Sequence, residues 1–72
     1  TSSRYFDWMM DTFPIDFHQN HYPKKISINY IKETKPMERI NLIKEAVSEK
    51  TFLFEGTNLN NGKTAFKGKI EF

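Results

Sequence analysis

Arg4-Tyr5-Phe6-Asp7-Trp8-Met9-Met10-Asp11-Thr12-Phe13 is the stretch that decides the fold. Phe6, Met9, Met10 and Phe13 recur at i, i+3, i+4 and i+7, which is one face of a helix. Tyr5, Trp8 and Thr12 line the flank of that face. A helix with this much apolar surface must be buried against something broad. The rest of the chain supplies it, because four later stretches alternate apolar and polar residues. An antiparallel sheet with one apolar face is given a single greasy helix to cover. That is the α+β class, with helix segregated to one side of the sheet.

The helix is predicted over about 2–13. Ser2 or Ser3 supplies a capping oxygen. Phe13-Pro14 ends the helix, since the residue before proline avoids the helical region. A short second helix is predicted over about 15–21, with Tyr22-Pro23 as its stop. Strands are predicted over about 25–34, 38–48, 51–59 and 63–72. Ile26, Ile28 and Tyr30 share a face in the first, and Pro36 marks the turn after it. In the second, Ile43, Ala46 and Val47 disturb the period, so a bulge or bend is expected there. A helix competes for 38–48, because Ile40, Ile43 and Val47 also fit helical spacing, but strands on both sides favour a strand. Phe52, Phe54 and Gly56 face inward in the third strand, and Phe66, Gly68, Ile70 and Phe72 in the fourth. Asn60-Asn61-Gly62-Lys63 reads as a hairpin turn, with Asn-Gly suited to the positive φ angles of type I′. The last three strands are expected to meander.

The 72 residues allow one domain and one modest core. A chain this short buries roughly 60% of its unfolded surface, so the 15% aromatic content is a large investment. There is no cysteine, hence no disulfide or cysteine–zinc site to compensate for small size. A reducing, cytoplasmic setting is the default expectation, with no membrane partner, because no apolar run approaches the roughly 20 residues of a span. The chain opens without Met, almost at a helix start, and is expected to be a piece of a longer protein. The net charge of +2 is mildly basic. Lys67, Lys69 and Glu71 read as an ordinary outward strand face.

Several constellations invite a chemical reading. His18 and His21 stand three apart with Asp16 nearby, but a third strong ligand is missing, so no metal is expected. Asp7 and Asp11, at i and i+4, read as the polar stripe of the helix. Glu33 and Thr34 close the first strand beside a turn, where a carboxylate is either a general base or a plain strand-end charge. Asn61-Gly62-Lys63 is a turn and not a phosphate loop, since no Gly-rich segment opens a helix there. No cofactor is expected. The last strand, Ala65-Phe66-Lys67-Gly68-Lys69-Ile70-Glu71-Phe72, lacks the order of an RNA-binding strand, and nucleic acid is not an expected partner.

Two segments carry a resemblance. Ser2-Ser3-Arg4-Tyr5-Phe6-Asp7-Trp8 resembles the helix of acyl-acyl carrier protein (acyl-ACP) thioesterases, in which a Tyr is followed three residues on by a Trp. Tyr5 and Trp8 match. Ile26-Ser27-Ile28-Asn29-Tyr30-Ile31-Lys32-Glu33-Thr34 resembles that family's next strand, in which a Tyr is followed three residues on by a Glu. Tyr30 and Glu33 match. The likeness is to the second, C-terminal hot-dog unit: an antiparallel sheet wrapped around one helix, here partial, with its first strand missing.

The resemblance implies a hydrolase that cleaves the thioester between a fatty acyl chain and acyl carrier protein, ending chain elongation. It implies Glu33 as the catalytic group that orients or activates water. It implies Tyr5, Trp8 and Thr34 as substrate-binding residues. The family's Asp-x-Asn-x-His signature would fall just ahead of Thr1, so the piece alone is expected to be inactive. Plant members carry a Cys where this chain has Thr34, which leaves a water-mediated route. Acyl carrier protein is the implied partner, with a second hot-dog unit or another copy completing the assembly. A non-catalytic hot-dog or small α+β binding module is the competing reading.

Overall fold

The structure is a computed structural model and describes residues 2–32, 35 and 37–72, with the side chains of Ser2 and Ser3 outside the description. The serine cap and the turn at Pro36 therefore lie outside the described residues, as do Glu33 and Thr34. Six elements follow in order: α1 (Ser2–Met10), α2 (Ile15–Asn20), β1 (Lys25–Tyr30), β2 (Ile40–Ala46), β3 (Thr51–Asn58) and β4 (Lys63–Glu71). The strands form one sheet in the order β1-β4-β3-β2. Every neighbouring pair is antiparallel. Thus β2, β3 and β4 meander, while β1 joins the far side of β4. This is the hot-dog arrangement.

Helix α1 ends three residues before the sequence predicts. Asp11 N–H still bonds Asp7 O at 2.9 Å, but Thr12 N–H reaches Met9 O at 3.2 Å and Phe13 N–H reaches Met10 O at 3.1 Å. The last turn has tightened to i→i−3 spacing ahead of Pro14. Helix α2 starts on Pro14, whose carbonyl accepts from Phe17 and His18 N–H. It carries Phe17 back onto the core.

The ladder puts the inward residues into rows across the sheet. One row is Ile26, Ile70, Phe52 and Ala46, the next Ile28, Gly68, Phe54 and Lys44, and the third Tyr30, Phe66, Gly56 and Leu42. All the inward residues predicted in β1, β3 and β4 fall in these rows or continue them. The segment 38–48 contains strand and no helix. Its pairing with β3 is uninterrupted from Ile40 to Ala46, so the bulge expected there is absent. The irregularity falls instead between β3 and β4, where Gly56 faces Phe66 but Thr57 faces Thr64. Ala65 is the extra residue, and its carbonyl accepts both Ile31 and Lys32 N–H, at 2.9 and 3.0 Å. The disturbed period in β2 has a different cause: Ile43 stands on the outer face.

The β3–β4 connection is a four-residue loop, not a type I′ turn. Only Gly62 takes a positive φ, 73°, and its N–H bonds Asn58 O at 2.8 Å. Type I′ needs two consecutive positive φ angles, and Asn61 does not supply one.

Met9, Phe66 and Ile70 are fully enclosed. Two glycines make this possible. A Cβ on Gly56 would overlap the Phe66 ring, and a Cβ on Gly68 would lie 2.5 Å from the Met9 sulfur. The helix therefore rests on bare backbone at the centre of the sheet. Phe13 closes the other end, edge-to-face on Phe52, Phe54 and Phe72. Gly56→Ala is expected to destabilise the chain by about 1–3 kcal/mol, because a fixed ring must move in a filled core. Gly68→Ala should cost less, since the obstructing atoms end a flexible side chain. Chemical denaturation compares them, and equal midpoints for Gly56→Ala and wild type would refute the close approach.

Candidate functional site

An open groove of about 300 Å³ lies between the flank of α1 and the edge of β2, lined by Trp8, Asp11, Glu38, Ile40 and Leu42. Helical spacing carries Asp11, in the turn just past α1, to the same side as Trp8 three residues before it. Ile40 and Leu42 reach it as inward residues of an edge strand. Such a groove is at the small end of the range for ligand sites. The interface between helix and sheet is itself filled by aromatic rings and Met9, so the groove lies beside the core and does not pass through it.

Tyr5 and Trp8 touch, with ring centroids 5.4 Å apart and planes at 85°. Their environments differ. Tyr5 is buried, 4.5 Å from the Phe66 ring and 5.3 Å from Tyr30. Trp8 is half-buried and faces the groove. Arg4 covers both, its guanidinium 5.2 Å from the Trp8 ring and 5.7 Å from Tyr5. Tyr30, the last residue of β1, thus brings the strand end to the first turns of α1. The chain is tied to β4 as far as Lys32; Glu33 and Thr34 follow outside the described residues.

Glu38 is the groove residue that sequence reasoning missed. Its carboxylate accepts the Lys35 backbone N–H at 2.7 Å. That hydrogen bond holds its pKa below the ordinary value, and the Asn58 side chain and the charges of Lys35 and Lys32 act in the same direction. Asn58 is nearly enclosed, and its side-chain oxygen accepts Asn60 N–H at 2.8 Å. The neighbouring Met37 has φ 75°, a left-handed conformation rare for a side-chain-bearing residue. Strand alternation could have found Asn58, which continues the inward series 52, 54, 56. Alternation in the predicted strand 38–48 also puts Glu38 on the face of Ile40 and Leu42, but no local pattern shows the loop hydrogen bond that holds it.

Lys44 was also missed, although alternation in β2 puts it on the inner face. Its ammonium lies 4.4 Å from the Phe13 ring centroid and donates to Thr12 O at 3.0 Å. His18 Nε2 lies 2.8 Å from Met10 O, and the Thr12 hydroxyl donates to Met9 O at 2.7 Å. Three side chains thus occupy the carbonyls at the C-terminal end of α1, where a cation is also favoured by the helix dipole. His21 stacks on Phe17 at 4.0 Å and lies 3.2 Å from Phe17 O through Nδ1. The histidine pair therefore serves the helix ends. Among the described residues no group of three His, Cys, Asp or Glu side chains is placed to hold a metal. Asp7 is exposed.

Residues 2–72 match the family model of the acyl-ACP thioesterase C-terminal domain. The chain belongs to the acyl-ACP thioesterase family. Its structure is similar to that of an acyl-ACP thioesterase from Bacteroides thetaiotaomicron VPI-5482, with a TM-score of 0.90 and 26% identity over all of this chain. The chain spans 29% of the length of that thioesterase chain. No curated protein matches. No helix among the described residues is long and apolar enough to cross a membrane.

The Glu38 geometry has a pH consequence. A carboxylate whose pKa is lowered on folding adds stability above its unfolded pKa, and that stability is lost as pH falls through the folded value. Wild type is therefore expected to lose more stability than Glu38→Gln between neutral and acid pH. Unfolding midpoints across that range test it, and parallel profiles would remove the carboxylate from the loop.

Proposed function

We propose that residues 1–72 form the C-terminal hot-dog unit of a two-unit thioesterase that hydrolyses fatty acyl-ACP to free fatty acid and carrier protein. The observation that carries this reading is the family match over residues 2–72, together with a fold likeness that extends over the whole chain. In the reaction, Glu33 takes a proton from water as the water oxygen attacks the thioester carbonyl. The tetrahedral oxyanion collapses, the carbon–sulfur bond breaks, and Glu33 returns the proton to the leaving thiolate. Thr34 flanks this base, and a cysteine nucleophile plays no part.

Helix N-termini in general present backbone N–H groups of the kind that stabilise an oxyanion, and the N-terminal end of α1 is the end this reading assigns to that role. The Tyr5–Trp8–Tyr30 cluster gathers at this end of the helix and leads to the segment that carries Glu33. Trp8, with Ile40 and Leu42, offers apolar surface to the acyl or pantetheine portion of the substrate. Tyr5 acts from beneath, holding Trp8 against the sheet. Acyl carrier protein is the partner, and the enzyme works in the cytoplasm.

A second hot-dog unit or another copy completes the sheet. Edge strand β1 supports this, since its inward residues Ile26 and Tyr30 remain 42% and 46% exposed. An apolar edge of this kind is normally covered.

Two outcomes test the reading. Glu33→Ala in the full-length enzyme should lower kcat for acyl-ACP hydrolysis by about 100-fold or more while leaving KM nearly unchanged, as expected for loss of a general base. Unchanged turnover would remove Glu33 from the mechanism. The 72-residue chain by itself should release no fatty acid from acyl-ACP, and measurable hydrolysis would show that the catalytic set lies within it.

A further inference from the structure

We propose that the loop end of the sheet carrying Lys32, Lys35, Arg39 and Lys63 is the docking surface for an acidic protein, the carrier that presents the acyl thioester. This rests on the thioesterase reading for the identity of the carrier and on the structure for the place. The loops bring the four cations together from three parts of the chain. Lys32 and Lys63 share a shallow depression with Asn58, Asn61 and Thr64. Lys32 N–H bonds Ala65 O at 3.0 Å. Lys35 is tied to Glu38, and the charges of Lys35 and Lys32 both act on that carboxylate. Arg39 is joined to the β3–β4 loop twice, through its N–H to Asn60 Oδ1 at 3.2 Å and its carbonyl to Leu59 N–H at 2.8 Å.

Elsewhere the lysines are paired, used as caps, or, for Lys24, Lys25 and Lys50, placed at the opposite end of the sheet close to Glu71 and Glu49. Lys67 lies 4.0 Å from Glu55 and Lys69 lies 3.5 Å from Glu71, while Lys44 caps α1. Neither of the two ion pairs found among the described residues involves the four cations of the loop end. All four are exposed. Glu38 is the carboxylate set among them, and its hydrogen bonds hold it in the loop. The four cations outnumber the carboxylates described beside them, Glu38 and, in the same groove, Asp11. An exposed concentration of one sign on a nearly neutral molecule steers a partner of the opposite sign.

The position also suits the chemistry. Glu38 belongs both to this basic end and to the groove beside Trp8, Ile40 and Leu42. A carrier seated on the four cations would have its prosthetic arm at the mouth of that groove. The negative phosphate at the base of the arm would meet the same charges.

The surface can be reversed without touching the fold, because the hydrogen bonds named for Lys35, Arg39 and Lys63 in this region use their backbone atoms. The probe is holo-acyl carrier protein, titrated against the full-length protein. Lys35→Glu/Arg39→Glu/Lys63→Glu should weaken its Kd by about tenfold or more. Lys67→Glu/Lys69→Glu, on the outer sheet face, should leave it within about twofold. Wild-type affinity should also fall as ionic strength rises from about 0.05 M to about 0.5 M. If the triple variant unfolds, Arg39→Glu and Lys63→Glu are measured singly, and each should weaken binding in the same direction.

Wild-type-like affinity in the loop variants, equal loss in the outer-face pair, or no carrier binding by wild type would overturn the proposal. So would tighter binding of poly-U than of carrier, lost on the same reversal, which would assign the surface to nucleic acid. Carrier binding that depends on these residues without any acyl-ACP hydrolysis would sink the thioesterase reading and leave the docking surface standing. Hydrolysis of acyl-ACP with a Kd indifferent to the reversal would do the opposite.

Discussion

Everything in this molecule depends on one contact, the Met9 side chain lying directly on the backbone of Gly68. With no Cβ at Gly68 or Gly56, Met9 and the Phe66 ring sink to the level of the strands. Full burial of a side chain such as Met9 is worth about 1.5–3 kcal/mol. In a small domain that is a large share of the net stability. The contact also sets the height of α1 above the sheet. That height decides which flanking residues are covered and which, like Trp8, remain beside an open groove.

Once the helix is seated, its two ends have different tasks. The C-terminal end is closed by Lys44, His18 and Thr12, each engaging a backbone carbonyl, and by Phe13 among Phe17, Phe52 and Phe72. Little is left there for chemistry. The N-terminal end gathers Arg4, Trp8 and Tyr30 around the Tyr5 ring. A hot-dog unit thus separates structural closure from the end where its family reaction is proposed to occur. The same asymmetry appears in the charges. Lys67 and Lys69 are paired and Lys44 is used as a cap, while Lys32, Lys35, Arg39 and Lys63 stand outside any ion pair found among the described residues where the loops converge near Glu38.

Much of the architecture was legible because it rests on periodicity. The i, i+3, i+4, i+7 series of Phe6, Met9, Met10 and Phe13 identified the covering helix but misplaced its inner face, which is Tyr5, Met9 and Phe13, with Phe6 half-buried outside the core cluster. Strict alternation placed Ile70, Phe54 and Ile28 on the inner face. Where the reading erred, a long-range term had won. The irregular hydrophobic period in β2 looked like a bulge. It reflects Ile43 on the outer face of a regular strand, while the real bulge at Ala65 is required by the two N–H groups of Ile31 and Lys32. Asn61-Gly62 suggested a two-residue turn, but the Gly62–Asn58 hydrogen bond closes a longer loop. Tyr5 and Trp8 were singled out because they match the resembled family's helix, and their substrate-binding role belongs to the proposed function. Glu38 and Lys44 were not singled out, because local spacing does not show the loop in which Glu38 accepts the Lys35 N–H or the Thr12 carbonyl, 32 residues away, that Lys44 reaches.

The sequence by itself determined the element types, the inward faces of the strands and the family, since each depends on residues a few positions apart. Only the tertiary structure decided that β1 joins β4, that Tyr5 is buried while Trp8 lines a groove, and that Glu38 sits among four cations drawn from three segments. Pairing, burial and electrostatic environment depend on which distant residues meet. Local spacing carries no information about distances that exist only after the chain has closed on itself.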